Sequence, residues 1–318
     1  MSNKILDNSR ISKHLGQTSE YKDQYDPELL VNEPRINNRR HLDIKDEALP
    51  FFGYDTWNAY EVSALTNNGL PVAGVAKVIY PCNSKYIVES KSIKLYFNSF
   101  NMYKCGDTPQ QVLEHVDEIA SRDLSDLLET DVKVKTLPAD LIAKGDSVLN
   151  RDKYTTLETY FETDYLTEMK LDTYSESPEL LELLDDACEG CDYSVWDKSR
   201  TCRWHSALLK SNCRVTSQPD WGDVYVMYQG HSHISPESLL KYIVSFRDEC
   251  HFHEEICETI YKRLHDVLSP TQLCVTCLYA RRGGIDINPV RASNEYVIQQ
   301  ECSDLINPDL MHVKTAKQ

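Results

Sequence analysis

KLYFNSF (residues 94–100) and LKYIVSF (240–246) both end in Tyr-x-x-Ser-Phe. So short a match could be accidental, but each copy sits in the same order of elements, and that order decides the fold. Before the first copy, YEVSALTNNGLPVAGVAKVIYP (60–81) carries an Asn-Asn-Gly-Leu-Pro turn, and its β-branched residues at Val72–Val78 predict a strand. After it, TPQQVLEHVDEIASRDLSDLLET (108–130) opens with Thr108 as N-cap and Pro109 at the first helical position. Val112, Val116, Ile119, Ala120 and Leu127 fall on one face of that helix. DVKVKTLP (131–138) then alternates as a strand does.

The second half repeats the order. DVYVMYQG (223–230) reads as a strand, and Ser235-Pro236 opens a helical stretch. ECHFHEEICETIYKRLHDVL (249–268) reads as an amphipathic helix whose apolar face is Phe252, Ile256, Ile260, Leu264 and Val267. QLCVTCLYARRGGIDINP (272–289) follows as a strand running into a glycine turn. Strand, helix and strand twice over predict an internal duplication. Between the halves lies ESPELLELLDDACEGCDYSVWDKSRTC (176–202), read wholly or in part as a connector. Residues 1 to about 45 show little apolar periodicity and read as an extended or loosely packed arm.

The chain has 318 residues, 41% of them hydrophobic and 26% charged, room for one large or two ordinary domains with a real core. A net charge of −16 repels phosphate backbones and argues against nucleic acid as a partner. No run of 18 apolar residues exists for a membrane span, and the first residues lack the apolar core of a secretory signal, so the expected compartment is the cytoplasm. Eleven cysteines, an odd number, do not read as a disulfide framework.

A cysteine that reacts needs a neighbour that moves protons. In LLKSNCRVTSQPDWGD (208–223), Cys213 precedes a Pro-Asp-Trp-Gly segment, read as a turn, that presents Asp220; Lys210 is close in sequence. A buried cysteine beside a turn-forming aspartate is the blander explanation. In HFHEE (251–255), His251 and His253 would point in different directions on a helix, which disfavours a metal pair. His253 next to Glu254 suits a polar ring that needs both donor and acceptor. Glu89 could accept two hydrogen bonds from the amidine-like edge of a purine, and Lys91 and Lys94 could hold a phosphate. Cys188, Cys191, Cys202 and His205 have spacings tolerable for structural zinc. Cys274 and Cys277 lie in a strand and should face opposite sides of the sheet. Neither G-x-G-x-x-G nor a P-loop is present, so a nicotinamide cofactor would not sit in a Rossmann crevice.

ESKSIKLYFNSFN (89–101), LLKSNCRVTSQPDWGDVYVMYQG (208–230), SFRDECHFHEE (245–255) and RRGGIDINPVR (281–291) together resemble the NADPH-dependent 7-cyano-7-deazaguanine reductases, specifically their long, two-module branch. LGQTSEYKDQYDPELL (15–30) and LPFFGYDTWNAYEVSALTNNGLP (49–71) fit that branch too. The resemblance implies an α+β fold of two tandem tunnelling-fold (T-fold) modules, antiparallel sheets backed by helices, divided as 1–165 and 166–318. It implies four-electron reduction of a nitrile to an amine, with NADPH as cofactor, on the way to queuosine. Cys213 matches the nucleophile and Asp220 the proton donor. Val88, Glu89, Ser90, His253 and Glu254 match substrate-binding positions; Ser90, Lys91, Arg282 and Gly283 match cofactor positions. No metal is implied, and a homodimer would be the expected assembly. The Cys-rich stretch near 186–205 is longer than the family leads one to expect. The alternatives are a cysteine-dependent hydrolase or amidotransferase using Cys213 with His253, and a non-catalytic T-fold scaffold or pterin-pathway relative.

Overall fold

The computed structural model describes residues 22–139, 153–184, 201–214 and 216–318. In chain order, β1 (Asn32–Pro34) and the short helix α1 (Ile36–Arg39) lead into a long hairpin, β2 (Phe52–Leu65) and β3 (Pro71–Pro81). After β4 (Tyr86–Val88) come helices α2 (Ser90–Asn98) and α3 (Pro109–Leu128), then β5 (Lys133–Pro138). Three short elements, β6 (Thr155–Thr156), α4 (Leu157–Tyr160) and α5 (Thr163–Glu168), precede the second set. That set is β7 (Thr201–Ser206), β8 (Lys210–Asn212), β9 (Pro219–Gln229), α6 (Pro236–Ser245), α7 (His253–Leu268), β10 (Gln272–Tyr279) and β11 (Ile285–Ala292), with α8 (Glu295–Ile306) after it.

The two Tyr-x-x-Ser-Phe segments fold alike. Each ends the first helix after a strand pair. Ser99 Oγ donates to the Tyr96 carbonyl and Ser245 Oγ to the Tyr242 carbonyl, both at 2.7 Å. Both tyrosines and both phenylalanines are buried. Leaving aside the short β4 and β8, each half runs two strands and two helices, followed by one strand (β5) in the first half and two (β10 and β11) in the second.

β1 and β4 pair as a separate two-stranded antiparallel sheet, and the other strands form one sheet in the order β5-β3-β2-β11-β10-β9-β7-β6, with β8 added on β9. Apart from the short β6–β7 pair its pairings are antiparallel. The first strand of one half pairs with the last of the other: Trp57 faces Ile287 and Ala59 faces Ile285. That β2–β11 seam carries the site. The second half's sheet is buried on both faces by simple alternation. Val224, Val226 and Tyr228 of β9 turn to the core under α6 and α7, while Tyr225 and Met227 turn to the core under α8. Cys277 and Cys274 divide the same way, as the spacing predicts.

The helices follow local chemistry. Thr108 caps α3 through Gln111 N, and Gln111 returns a bond to Thr108 N. Along α7, Ile256, Ile260 and Leu264 recur every four residues and are buried, each contributing about 1.5–3 kcal/mol. Ile260→Ala would leave a cavity costing about 2–5 kcal/mol. Ser269, in the left-handed region, ends α7 just before Pro270.

Four expectations change. Residues 22–45 are not a loose arm: Leu29, Leu30, Arg35, Arg39, Leu42 and Ile44 are buried. Arg35 pairs with Asp55 at 2.5 Å and Arg39 with Glu258 at 2.8 Å, and hydropathy does not register charge-driven burial. Pro-Asp-Trp-Gly is no turn; it opens β9, with Asp220 opposite Ser211 of β8. The reversal comes earlier, where Cys213 N donates to the Gln218 carbonyl and Ser217 takes a left-handed φ of 53°. α7 starts at His253, so His251 and Phe252 precede it. The connector reading ends before Thr201, where β7 begins. Among the described residues, no helix is long and apolar enough to cross a membrane.

Candidate active site

Over the β2–β11 seam, between the N-termini of α2 and α7, opens a cavity of about 210 Å³. Trp57, Ile285 and Ile287 supply its apolar floor, and Phe252 part of its wall. Val88, Ser90, Lys91, Cys213, Asp220, His253, Glu254, Arg282 and Gly283 all line it. These are the residues singled out by sequence, with one exception.

The exception is Glu89. It caps α2, its two carboxylate oxygens accepting from Lys91 N at 2.9 Å and Ser92 N at 2.8 Å. Burial pushes its carboxyl up while those bonds pull it down. Capping fixes Ser90 and Lys91 at the cavity rim, and a carboxylate keeps further lone pairs for a ring N–H.

Glu254 stands at the first turn of α7, 1% exposed, and its Oε1 has no hydrogen-bond partner. Burial, reinforced by Asp55, pushes its carboxyl up to about 8. A buried carboxyl oxygen without a partner costs free energy that an incoming donor would recover. Its neighbour one turn on, Glu258, shows the contrast. Burial opposes its charge too, but Arg291, Arg39 and Arg35 outweigh burial and hold it at about 2.

His253 packs edge-on against Tyr279, ring centroids 4.0 Å apart, with Nε2 3.8 Å from Asp220 Oδ2. Burial lowers its proton affinity, so a neutral imidazole offers one donor and one acceptor. Asp220, itself buried, makes an ion pair with Arg282. Cys213 is half-buried at the start of its loop. Lys210, close to Cys213 in sequence, gives its ammonium to Asn212 Oδ1 and the Arg247 carbonyl. At the rim, Gly283 has φ 57°, and a Cβ there would sit 3.4 Å from the Lys94 stem. Lys94 in turn lies 3.4 Å from Glu61.

Three cations, Lys91, Lys94 and Arg282, thus gather at one rim of a chain with net charge −16. That donor set fits the phosphates of a nicotinamide dinucleotide phosphate. Sequence reasoning did not assign Trp57, His251, Ile285 or Ile287 to the site. The floor residues belong to it only through the β2–β11 pairing, which local patterns do not reveal. Of the zinc candidates, Cys188 and Cys191 lie outside the described residues. Cys202 faces the core under α6 and α7, whereas His205 stacks on Tyr225 on the other face and bonds Asp223 at 3.1 Å.

As chemistry, the cavity suits a thiol-dependent enzyme acting on a small, flat, hydrogen-bonding molecule; fold and site together point to that class. The family model described as nitrile reductase, 7-cyano-7-deazaguanine-reductase N-term, matches residues 21–136, and one described as QueF-like protein matches 219–298. An NADPH-dependent 7-cyano-7-deazaguanine reductase of Legionella pneumophila (strain Lens) is 36% identical over 95% of this chain and 97% of its own. The protein of the same name from Ralstonia nicotianae is 40% identical over 88% of this chain and 92% of its own. The chain belongs to the NADPH-dependent 7-cyano-7-deazaguanine reductase family.

Proposed function

We propose that this chain is an NADPH-dependent nitrile reductase. It converts 7-cyano-7-deazaguanine to 7-aminomethyl-7-deazaguanine through a thioimide on Cys213, in the route to queuosine. The observation that carries the reading is one cavity holding a thiol, a carboxylate paired to arginine, and a buried carboxyl with one unpartnered oxygen.

A bare nitrile is a poor hydride acceptor, and sulfur addition makes it a better one. Cys213 adds its sulfur to the nitrile carbon. Asp220, a carboxylate beside Arg282, accepts the thiol proton and returns it to the nitrile nitrogen, giving a C(=NH)–S group with no net change in protons. NADPH supplies two hydrides, one to this carbon and one after the carbon–sulfur bond breaks and the thiolate leaves. One further proton reaches the nitrogen, completing the amine, and a second restores the Cys213 thiol. Glu254 accepts from ring N–H groups, His253 donates to or accepts from the ring, and Val88, Glu89 and Ser90 border it. Lys91, Arg282, Ser90 and Gly283 hold the cofactor at the rim. A cysteine hydrolase would instead set a histidine to serve the sulfur. Here His253 stands by Asp220, and both ring nitrogens of His251 go to glutamates. The two halves, divided near residue 165, are read as tandem T-fold modules, and a homodimer would bring four together; light scattering of the purified protein tests that.

The test of function is the intact mass of the protein mixed with the nitrile base alone. Wild type should gain the mass of the base, and Cys213→Ala should not. No gain on wild type, or an equal gain on the variant, would sink the assignment.

A further inference from the structure

We propose that Arg214 and Glu255 are positioning residues that set the distance between the nucleophile and the ring-binding end of α7; this rests on the reductase reading above. The sulfur and the ring anchors come from different segments. Cys213 sits on the loop between β8 and β9, while His253 and Glu254 start α7. Something must fix one against the other, because a reacting pair has to meet within about 3–3.5 Å.

Arg214 directly follows the nucleophile, and its Nη1 lies 3.0 Å from Glu255 Oε1. Glu255 directly follows the ring anchor Glu254. Its Oε2 accepts from Phe252 N at 3.1 Å, fastening the start of α7. The same oxygen lies 3.2 Å from His251 Nδ1, whose Nε2 is 3.2 Å from Glu249. One carboxylate therefore joins the nucleophile loop, the helix start and the cavity residue His251. Arg214 and Glu255 are 18% and 5% exposed, so solvent screens the pair far less than a surface pair.

The loop is also tied on its other side. Asn212 N donates to the Glu249 carbonyl at 2.7 Å, and His251 N to the Asn212 carbonyl at 3.2 Å. Residues on both sides of Cys213 are thus held to segment 249–255. The loop itself has a reason to relax: Ser217, a non-glycine residue, sits at φ 53°, a conformation costing about 1–2 kcal/mol. Releasing Arg214 would let that turn drift and carry the sulfur with it.

Three variants test this: Arg214→Met, Glu255→Gln and the pair together, with Arg214→Lys as a charge-keeping control. The rate of adduct formation with the nitrile base is measured by rapid quench and mass spectrometry. Affinity for the base is measured by calorimetry in a Cys213→Ala background. Arg214→Met should slow adduct formation by about tenfold to a hundredfold, the scale of a misplacement near 1 Å, with affinity within about twofold. The double variant should be no slower than the slower single one, and Arg214→Lys should recover part of the rate. An unchanged rate, or a loss of affinity equal to the loss of rate, would overturn the inference. A wild type that forms no adduct would instead overturn the reductase reading on which it stands.

Discussion

Glu254→Gln separates what the buried carboxyl costs the fold from what it gives the ligand. Holding that carboxyl at about 8, against its ordinary 4.5, corresponds to roughly 5 kcal/mol against the charged form. The sign follows from proton counting. Between pH 4.5 and 8 the folded protein keeps a proton that the unfolded chain has released, so stability falls as pH rises through that window and is lowest above 8. Glutamine cannot titrate, so it removes this loss, less the cost of burying an amide with the same missing partner. At pH 8.5 the ligand-free variant should be more stable by about 1–3 kcal/mol, a rise in Tm of a few degrees. Near pH 5, where wild type has lost little stability, the amide's cost stands alone and the variant should be the less stable by about 1–3 kcal/mol. At pH 8.5, where the carboxyl is largely ionised, affinity for the nitrile base should fall by about 1.5–3 kcal/mol, the worth of a charged hydrogen bond. Thermal melts at the two pH values, with calorimetry for binding, read all three quantities. A variant less stable than wild type at pH 8.5, with the same pH slope, would refute the reasoning.

Other outcomes follow from the same geometry. Asp220→Asn should lower turnover far more than affinity for the base, seen as a fall in kcat with a steady Kd; full activity would remove its proton role. Glu258→Ala should destabilise by about 3–5 kcal/mol in denaturant melts, because Arg39 and Arg291 lose a buried partner. Since Glu258 is held at about 2, its contribution is present above pH 4.5 and is lost as pH falls through about 2. Burial disfavours the charge on His251, but its bonds to Glu249 and Glu255 outweigh burial and raise it to about 9. Its contribution should be complete below pH 6.5 and lost as pH rises through about 9, and His251→Asn should flatten that part of the stability curve.

What could be read from sequence was local chemistry and period. The Tyr-x-x-Ser-Phe repeat, the Thr108 cap and the α7 face each depend on residues within a turn or two of each other. The residues that the motifs single out as site candidates all line one cavity, except Glu89. What escaped depends on long-range partners. Arg35 and Arg39 are buried because Asp55 and Glu258 meet them, which no hydropathy window can detect. Asp220 sits on a strand because β8, three residues long, pairs with it; so short a strand shows no alternation. Glu255 meets Arg214 from another loop, a pairing that no local pattern reveals.

The central claim is tested most directly by the stoichiometry of nitrile-dependent NADPH oxidation. The purified protein is mixed with 7-cyano-7-deazaguanine and NADPH, loss of the reduced-nicotinamide absorbance is followed, and the amine is quantified by mass spectrometry. The account predicts two NADPH consumed for each 7-aminomethyl-7-deazaguanine formed, and none with Cys213→Ala. NADPH oxidation that ignores the nitrile, or amine formation that survives loss of the thiol, would contradict it.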